Sequence, residues 1–453
     1  MPIESPKKTL KFMLDFVPIP FRLGPDFRRV YYFLQKSQWW NLEELREYQF
    51  HILRRLLEYA AQNVPFYQKQ FKALGLEAQD IQTFDDFQKL PILDKETVKA
   101  NVQELLATNY PSTQRVFLTT GGSTGAPMGF YRSQDAYRKT LAFEWRNYNW
   151  NNYRFGDKVA VLRSHVVEPG ISKFDRAKKA LVFSAHKMND ANLPQYLTEL
   201  DKFAPKFILA YPSAIELLAG YVHRQHCEPQ FLKTLKGIFT SSESLYPDQK
   251  KMVESVFKTK IFDKYGNSEM VTMIGMCGHG SYHDFMEYSY TEILDAAGNP
   301  VTAEGGVGEI VGTAFVNDAM PLIRYRTGDQ VVVTHKKCPC GRAHPRVKSI
   351  LGREREVIIA RDLSRIPLAP VIFGIHDDRW HQIRRIQFVQ EKPGELTILA
   401  ETTNSDSEVA ANYLKMLFEK RLESNFTFDV RIVEQIPLTE RGKFKYLVQK
   451  IEV

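Results

Sequence analysis

The spacing of apolar positions changes along the chain, and each change predicts a different kind of element. Leu45, Tyr48, Ile52, Leu56 and Tyr59 recur every three or four residues, the period of a helix with one buried face. Asn41, followed three residues later by Glu44, supplies a capping signal at its start, and Pro65 is expected to stop it. Residues 1–40 are aromatic and basic with little periodicity; packing on the body is the expectation, and contact with a membrane surface is the alternative.

Through the middle of the chain the pattern alternates. Runs at 158–162, 207–210 and 237–240 read as buried strands, and the stretches 213–224 and 247–257 read as helices. Such alternation predicts α/β construction with parallel strands. Runs at 309–315 and 329–334 then follow without a helix between them, which suits an antiparallel or barrel-like addition.

The C-terminal stretch reads as a small α+β unit. Runs at 386–390 and 396–400 predict a hairpin, and 428–433 a further strand. Ser405 and Glu408 have the spacing of a capping box, ahead of an amphipathic stretch through Val409, Tyr413, Met416 and Leu417 to Leu422. The polar stretch 352–356 is the expected boundary, giving a large domain over 1–352 and a small one over 353–453. No internal repeat or low-complexity segment interrupts this division.

A length of 453 residues allows two or three such domains, and 43% hydrophobic with 25% charged residues is an ordinary globular balance. Four cysteines in that length do not make a disulfide framework. The N-terminal apolar stretch is broken by Asp15, Pro18 and Pro20, which argues against a signal peptide. No run of about 18 apolar residues predicts a membrane span. A cytoplasmic protein is therefore expected. The net charge is +8, and residues 335–361 hold eight Lys or Arg against two Glu, a local +6. No recognition-helix pattern accompanies that patch, so nucleic acid is not an expected partner; phosphate-rich cofactors or a solvated surface are the alternatives.

Candidate chemistry lies in motifs spread along the chain. Thr119, Thr120, Gly121, Gly122, Ser123, Thr124 and Gly125 follow an apolar run and form a glycine-hydroxyl turn. Glycines let backbone N–H groups crowd a polyphosphate, and hydroxyls add donors. It is not the usual nucleotide P-loop, because no Gly-Lys-Ser/Thr follows. Tyr265, Gly266 and Glu269 place a carboxylate after a glycine turn, a setting for Mg²⁺ or for a solvated helix start. Pro321, Arg324, Tyr325, Arg326, Gly328 and Asp329 put an aspartate in a turn that can accept ribose hydroxyls. Gly352 and Arg353 stand at the boundary, and Pro437, Gly442 and Lys443 near the C-terminus.

These signals in this order resemble the adenylate-forming superfamily of acyl-CoA synthetases, luciferases and peptide-synthetase adenylation domains. More narrowly they resemble the phenylacetate–coenzyme A ligase branch and its CapK-type relatives. The resemblance extends over nearly the whole chain, including Asn63 to Tyr67, Tyr211 to Ser213, Ser241 to Glu243 and, most specifically, Met320 to Asp329. It implies activation of a carboxylic acid as its AMP ester by ATP and Mg²⁺, then acyl transfer to coenzyme A or another nucleophile. It implies a large α/β domain with parallel sheets and a barrel-like part, and a small mobile α+β lid. Thr119 to Gly125 would cradle the β- and γ-phosphates. Ser241, Ser242 and Glu243 would line the adenine side, with Tyr265 stacked near the base. Glu269 would hold Mg²⁺, Asp329 the ribose hydroxyls with Arg353 nearby, and Lys443 would reach in from the lid. The acyl pocket would draw on the regions of His165, Tyr211 and 241–244. The chain departs from the pattern twice: Gly125 is followed by Ala126, Pro127 and Met128 where many relatives carry lysine, and Arg355 stands where a hinge acid is common. An adenylyltransferase and a non-catalytic relative are the rival readings.

Cys277 and His283, with Cys338 and Cys340, offer three thiolates and an imidazole, a closed tetrahedral set for structural zinc. His279 and His344 compete as the imidazole, and reduced structural thiols are the alternative to a metal. Cys227 is left over.

Overall fold

The computed structural model describes residues 19–119, 128–163, 167, 169–353, 357–372, 382–402, 406–422, 425–439 and 443–451. Helix α1 (Gly24–Ser37) corrects the expectation of an aperiodic N-terminal stretch. Apolar residues occupy more than one of its faces, which hides the stripe in the sequence, but Phe27 and Leu34 are the fully buried ones. In α2 (Leu42–Asn63) the expected capping box is formed: Glu44 N–H donates to Asn41 Oδ1 at 3.0 Å, and Asn41 N–H to Glu44 Oε2 at 2.8 Å. Its buried stripe is Leu45, Gln49, Leu53, Leu56 and Ala60, so Tyr48, Ile52 and Tyr59 lie on the flank. Pro65 does more than end α2: it opens α3 (Pro65–Leu74), where a first-turn proline lacks an N–H that the helix would leave unpaired anyway.

A hairpin of β1 (Arg115–Thr119) and β2 (Gly129–Ser133) precedes α4 (Gln134–Trp150). Next come β3 (Val159–Arg163), β4 (Ser172–Asp175), β5 (Ala180–Ser184), α5 (Leu193–Phe203), β6 (Phe207–Ala210), α6 (Pro212–Arg224), β7 (Gly237–Ser241), α7 (Pro247–Phe257) and β8 (Ile261–Gly266). Strands β5, β3, β6, β7 and β8 are parallel neighbours, with β4 antiparallel at the edge. Their apolar runs are continuous because both faces are covered, as parallel sheets require. Leu162, Ile208, Ile238, Leu218 and Val253 share one core cluster.

The antiparallel addition does not stand apart. It comprises β9 (Met273–Met276), β10 (Tyr282–Asp284), β11 (Ser289–Leu294), β12 (Val307–Ala314), β13 (Tyr325–Thr334) and β14 (Arg346–Arg353). Because β9 pairs with β8, the two halves make one twelve-stranded run ending in β9-β10-β14-β13-β12-β11.

Beyond residues 354–356, which lie outside the described residues with Arg355 among them, β15 (Val357–Ile359) and β16 (Arg365–Pro367) pair. Strands β17 (Ile383–Lys392) and β18 (Glu395–Thr402) form the expected hairpin. Its turn needs Gly394: φ is +75°, and a Cβ there would meet Arg361 Cα and Asn425 O at 3.1 Å. Strands β19 (Thr427–Ile432) and β20 (Leu447–Gln449) add in parallel on either side. Helix α8 (Ser407–Leu422) covers this sheet through Ala410, Tyr413, Leu414, Phe418 and Leu422. The expected stripe is therefore corrected, since Val409 and Met416 face solvent. The cap is also displaced: Asp406 Oδ1 accepts from the amides of Glu408 and Val409, both at 3.1 Å, while Ser405 lies outside the described residues. The small sheet has its own core, built on Ile358, Phe388, Ile398, Leu414 and Phe418.

Candidate functional site

The parallel strands bring Tyr211, Ser241 and Gly266 to one edge, because each stands at or just past the carboxyl end of β6, β7 or β8. In open α/β sheets that edge is where ligands sit. The hairpin β1–β2 supplies a neighbouring wall. Thr119 pairs opposite Gly129, while Thr120, Gly121, Gly122, Ser123, Thr124 and Gly125 lie outside the described residues. Met128, where the described residues resume, is fully buried, and its Sδ lies 3.8 Å from the Tyr325 hydroxyl. The same hydroxyl donates to Glu269 Oε1 at 3.3 Å. Three motifs distant in sequence thus meet at Tyr325, a residue inside the 321–329 motif to which sequence reasoning gave no task.

A second junction joins Tyr265 and Asp329. The Tyr265 hydroxyl donates to Asp329 Oδ2 at 2.6 Å. Burial, with the Asp329 charge beside it, pushes the phenol well above its usual range, so it stays a donor. The turn carrying Asp329 is fixed from below. Asp329 N–H donates to Thr327 Oγ1 at 3.1 Å, and Gly328 N–H to Glu309 Oε1 at 2.8 Å. The two arginines of the motif are braces. Arg326 pairs with Glu309 at 3.0 Å. Arg324 forks onto both oxygens of buried Glu292 at 3.0 and 2.9 Å, and also donates to the carbonyls of Gln88 and Leu90. A bidentate pair with Nη1 held by two further carbonyls is the kind of arrangement in which a buried charge is tolerated. Arg353 pairs through its backbone opposite Asp329, and its side chain lies outside the described residues. Ser242, Met270 and Arg324 adopt φ of 74°, 63° and 51°, so left-handed non-glycine backbone gathers around these junctions.

Ser241 is buried at the end of β7, and Glu243 is half-buried just after it. The Glu243 carboxylate accepts from Ser213 N–H at 3.0 Å, in the first turn of α6, and from Phe444 N–H at 2.9 Å. Burial raises its pKa, with those two amides and the Lys443 charge acting the other way. Sequence reasoning placed Glu243 beside adenine; its oxygens here join α6 to the small sheet's C-terminal segment. Lys443 N–H donates to Thr439 Oγ1 at 3.0 Å, and Thr439 N–H donates to the Lys443 carbonyl at 2.9 Å. The next contact was also missed: Tyr446 hydroxyl donates to Glu216 Oε2 at 2.9 Å, and Gln249 Nε2 to the same oxygen at 2.7 Å. No sequence signal marks Glu216, which reads as one polar position on an apolar helix. A cleft of about 580 Å³ runs beside this junction, lined by Glu216, Met252, Arg384, Phe444 and Tyr446 among others. Of the expected acyl-pocket region, Tyr211 is buried at the start of α6 and His165 lies outside the described residues.

At the opposite end of the antiparallel strands, Cys277, His283, Cys338 and Cys340 bring their donor atoms within 4.8 Å of one another. Cys277 Sγ lies 3.6 Å from Cys338 Sγ, and Cys340 Sγ 3.4 Å from His283 Nε2. A tetrahedral ion with Zn–S bonds of about 2.3 Å spaces its sulfurs by roughly 3.8 Å, so this donor set fits. Burial pushes the Cys277 thiol up and, with the His344 charge, the His283 ring down to about 3, leaving a neutral imidazole. The competing histidines go elsewhere. His279 is exposed on the turn, and His344 Nε2 lies 3.0 Å from Glu287 Oε2. Glu287 Oε1 accepts from Arg146 Nη1 at 2.7 Å and from Ser37 Oγ at 2.6 Å. Burial alone would raise the Glu287 carboxyl, but Arg146 and His344 hold it well below the usual range. Arg146 is itself fully buried, its guanidinium 4.3 Å from the Phe285 ring.

Residues 363–450 match the family model described as CapK C-terminal domain. Protein CapK of Staphylococcus aureus is 24% identical over 424 residues, covering 91% of this chain and 90% of that protein. The phenylacetate-coenzyme A ligase of Pseudomonas putida is 26% identical over 332 residues, covering 72% and 74%. Among solved structures, 2-hydroxyisobutyryl-CoA ligase in the postadenylation state in complex with R3-HIB-AMP superposes with a TM-score of 0.72. It is 18% identical, with 92% of this chain and 91% of that chain covered.

Proposed function

We propose that this chain, of the CapK and phenylacetate–coenzyme A ligase branch of the adenylate-forming ligases, uses ATP to convert a carboxylic acid into its acyl-adenylate. A carboxylate oxygen attacks the α-phosphorus, the bond to the bridging oxygen breaks, and pyrophosphate leaves with the electron pair. Both reactants are anions, so catalysis consists mainly of positioning and of offsetting charge. The loop 119–125 would hold the β- and γ-phosphates, and Ser241 and Ser242 the adenine side. Asp329 would accept the ribose hydroxyls while the Tyr265 hydrogen bond fixes its rotamer. Glu269, whose carboxylate accepts from Tyr325, would hold Mg²⁺, which when bound supplies charge neutralisation on the phosphates. Lys443 would supply the cation at the α-phosphate.

The observation that supports this reading is the meeting of Met128, three residues past Gly125, with Tyr325 and Glu269. In the second half of the reaction the acyl group passes to coenzyme A or another nucleophile and AMP departs. The small domain from 353 onward would act as the lid, and cytoplasmic supply of ATP and thiols suits the chemistry. Zinc held by Cys277, His283, Cys338 and Cys340 would be structural, because four protein ligands close its shell.

A pyrophosphate-exchange screen over aryl, fatty and amino acids, with and without coenzyme A, tests the first half-reaction. Exchange that depends on one acid class is expected; exchange with none contradicts the proposal. Metal analysis of protein purified without added metal is expected to give about one zinc per chain, and a value near zero removes the zinc assignment.

A further inference from the structure

Helix α1 buries one side and leaves an unexplained one in water. Pro25, Arg29, Tyr32 and Lys36 are all exposed, and their spacing of four, three and four residues places them in one stripe opposite Phe27 and Leu34. Tyr32 is 55% exposed. Phe21 and Trp39, just beyond the helix ends, are 58% and 59% exposed. Each of these two rings carries a guanidinium: Arg28 lies 4.9 Å from the Phe21 centroid, and Arg342 lies 4.7 Å from that of Trp39. Arg342 belongs to the basic stretch noted in the sequence, and His335, Lys336 and Lys337 are exposed on the same loop. Asp26 is the one acid in α1, 3.7 Å from Arg29; the acids Glu43, Glu44 and Glu47 begin only with α2.

We propose that the α1 stripe and the 335–342 loop dock this protein on an anionic phospholipid surface. Aromatic rings with one polar edge favour the headgroup layer, and basic side chains beside them add attraction to anionic lipid. No helix among the described residues is long and apolar enough to cross a membrane, so the attachment is peripheral. The charge of the face selects an anionic surface over an apolar protein partner. Its shape favours a bilayer over a nucleic-acid strand, since the rings stand on the outside of a surface helix, and single strands are held in grooves.

Vesicle co-sedimentation tests this on the full chain, using phosphatidylcholine vesicles with and without phosphatidylglycerol. Binding to the mixed vesicles is expected, with little to phosphatidylcholine alone and a steep loss as salt rises. The pair Arg29→Gln and Lys36→Gln should weaken partitioning by about tenfold or more, and so should the pair Tyr32→Ser and Trp39→Ser. Unchanged circular dichroism and melting of these variants establish that the fold survives. A second charge variant, Lys336→Gln with Lys337→Gln, guards against a pair that fails to fold. Failure to bind phosphatidylglycerol vesicles overturns the proposal, as does equal binding by wild type and all variants. A single-stranded oligonucleotide that binds with the same variant sensitivity while vesicles do not also overturns it.

Discussion

The antiparallel half of the large sheet has two differently built ends. At one, Glu287 is held by Arg146 and Ser37 and faces His344, beside the Cys277–His283–Cys338–Cys340 cluster. At the other, Glu269 and Asp329 receive hydroxyls from Tyr325 and Tyr265. A guanidinium cancels the charge of the carboxylate it holds; a phenol orients a carboxylate and leaves the charge in place. The first end is therefore suited to fix the frame. The second is suited to receive a cation or donate its lone pairs to ribose hydroxyls, within backbone held at positive φ by Met270 and Arg324.

The contrast can be broken first at its rigid end. Glu287→Gln leaves Arg146 buried without its counter-charge and should cost about 3–5 kcal/mol, read as a lower denaturant midpoint; a shift of under one kcal/mol, as for a surface pair, would mean the network is not what fixes the frame. At the open end, Lys443→Ala should lower acid-dependent pyrophosphate exchange by about 10²–10³-fold with an unchanged melting curve. Equal exchange would remove Lys443 from the chemistry.

How much of this was legible in the sequence follows from what each element depends on. The parallel strands were readable because a strand covered on both faces leaves a continuous apolar run, and α2 because its capping signal and apolar spacing mark a helix, though Gln49, Leu53 and Ala60 replace Tyr48, Ile52 and Tyr59 on its buried side. The stripe of α8 was not, since Val409 and Met416 are as apolar as the residues that are buried, and only packing on the small sheet decides between them. Candidate site residues within motifs could be named, but the partners that hold them could not. Tyr325, Glu216 and Glu287 acquire their tasks from residues 56, 230 and 57 positions away. Glu243 shows the converse, a motif residue whose oxygens join two parts of the fold.

Smaller effects sharpen the comparison. Tyr265→Phe removes the hydrogen bond that orients Asp329, worth about 1 kcal/mol, so the KM for ATP should rise by roughly fivefold with kcat little changed. A larger fall in kcat than rise in KM would assign the phenol to the reaction itself. The smallest effect concerns the junction with the small sheet. Burial raises the pKa of both Glu216 and Glu243. A raised folded-state value contributes stability fully below the ordinary glutamate range and loses it as pH rises through the raised values. Limited proteolysis between the two parts should therefore quicken as pH rises, and Glu216→Gln should flatten that dependence. Cleavage with the same pH profile in both proteins would remove Glu216 from the junction's control.

The most direct test follows oxygen. With an acid that supports exchange, labelled with oxygen-18 in its carboxylate, the account predicts that the AMP released after acyl transfer carries one labelled oxygen, because the carboxylate attacked the α-phosphorus. Unlabelled AMP, or ADP and phosphate as the products, would contradict acyl-adenylate formation.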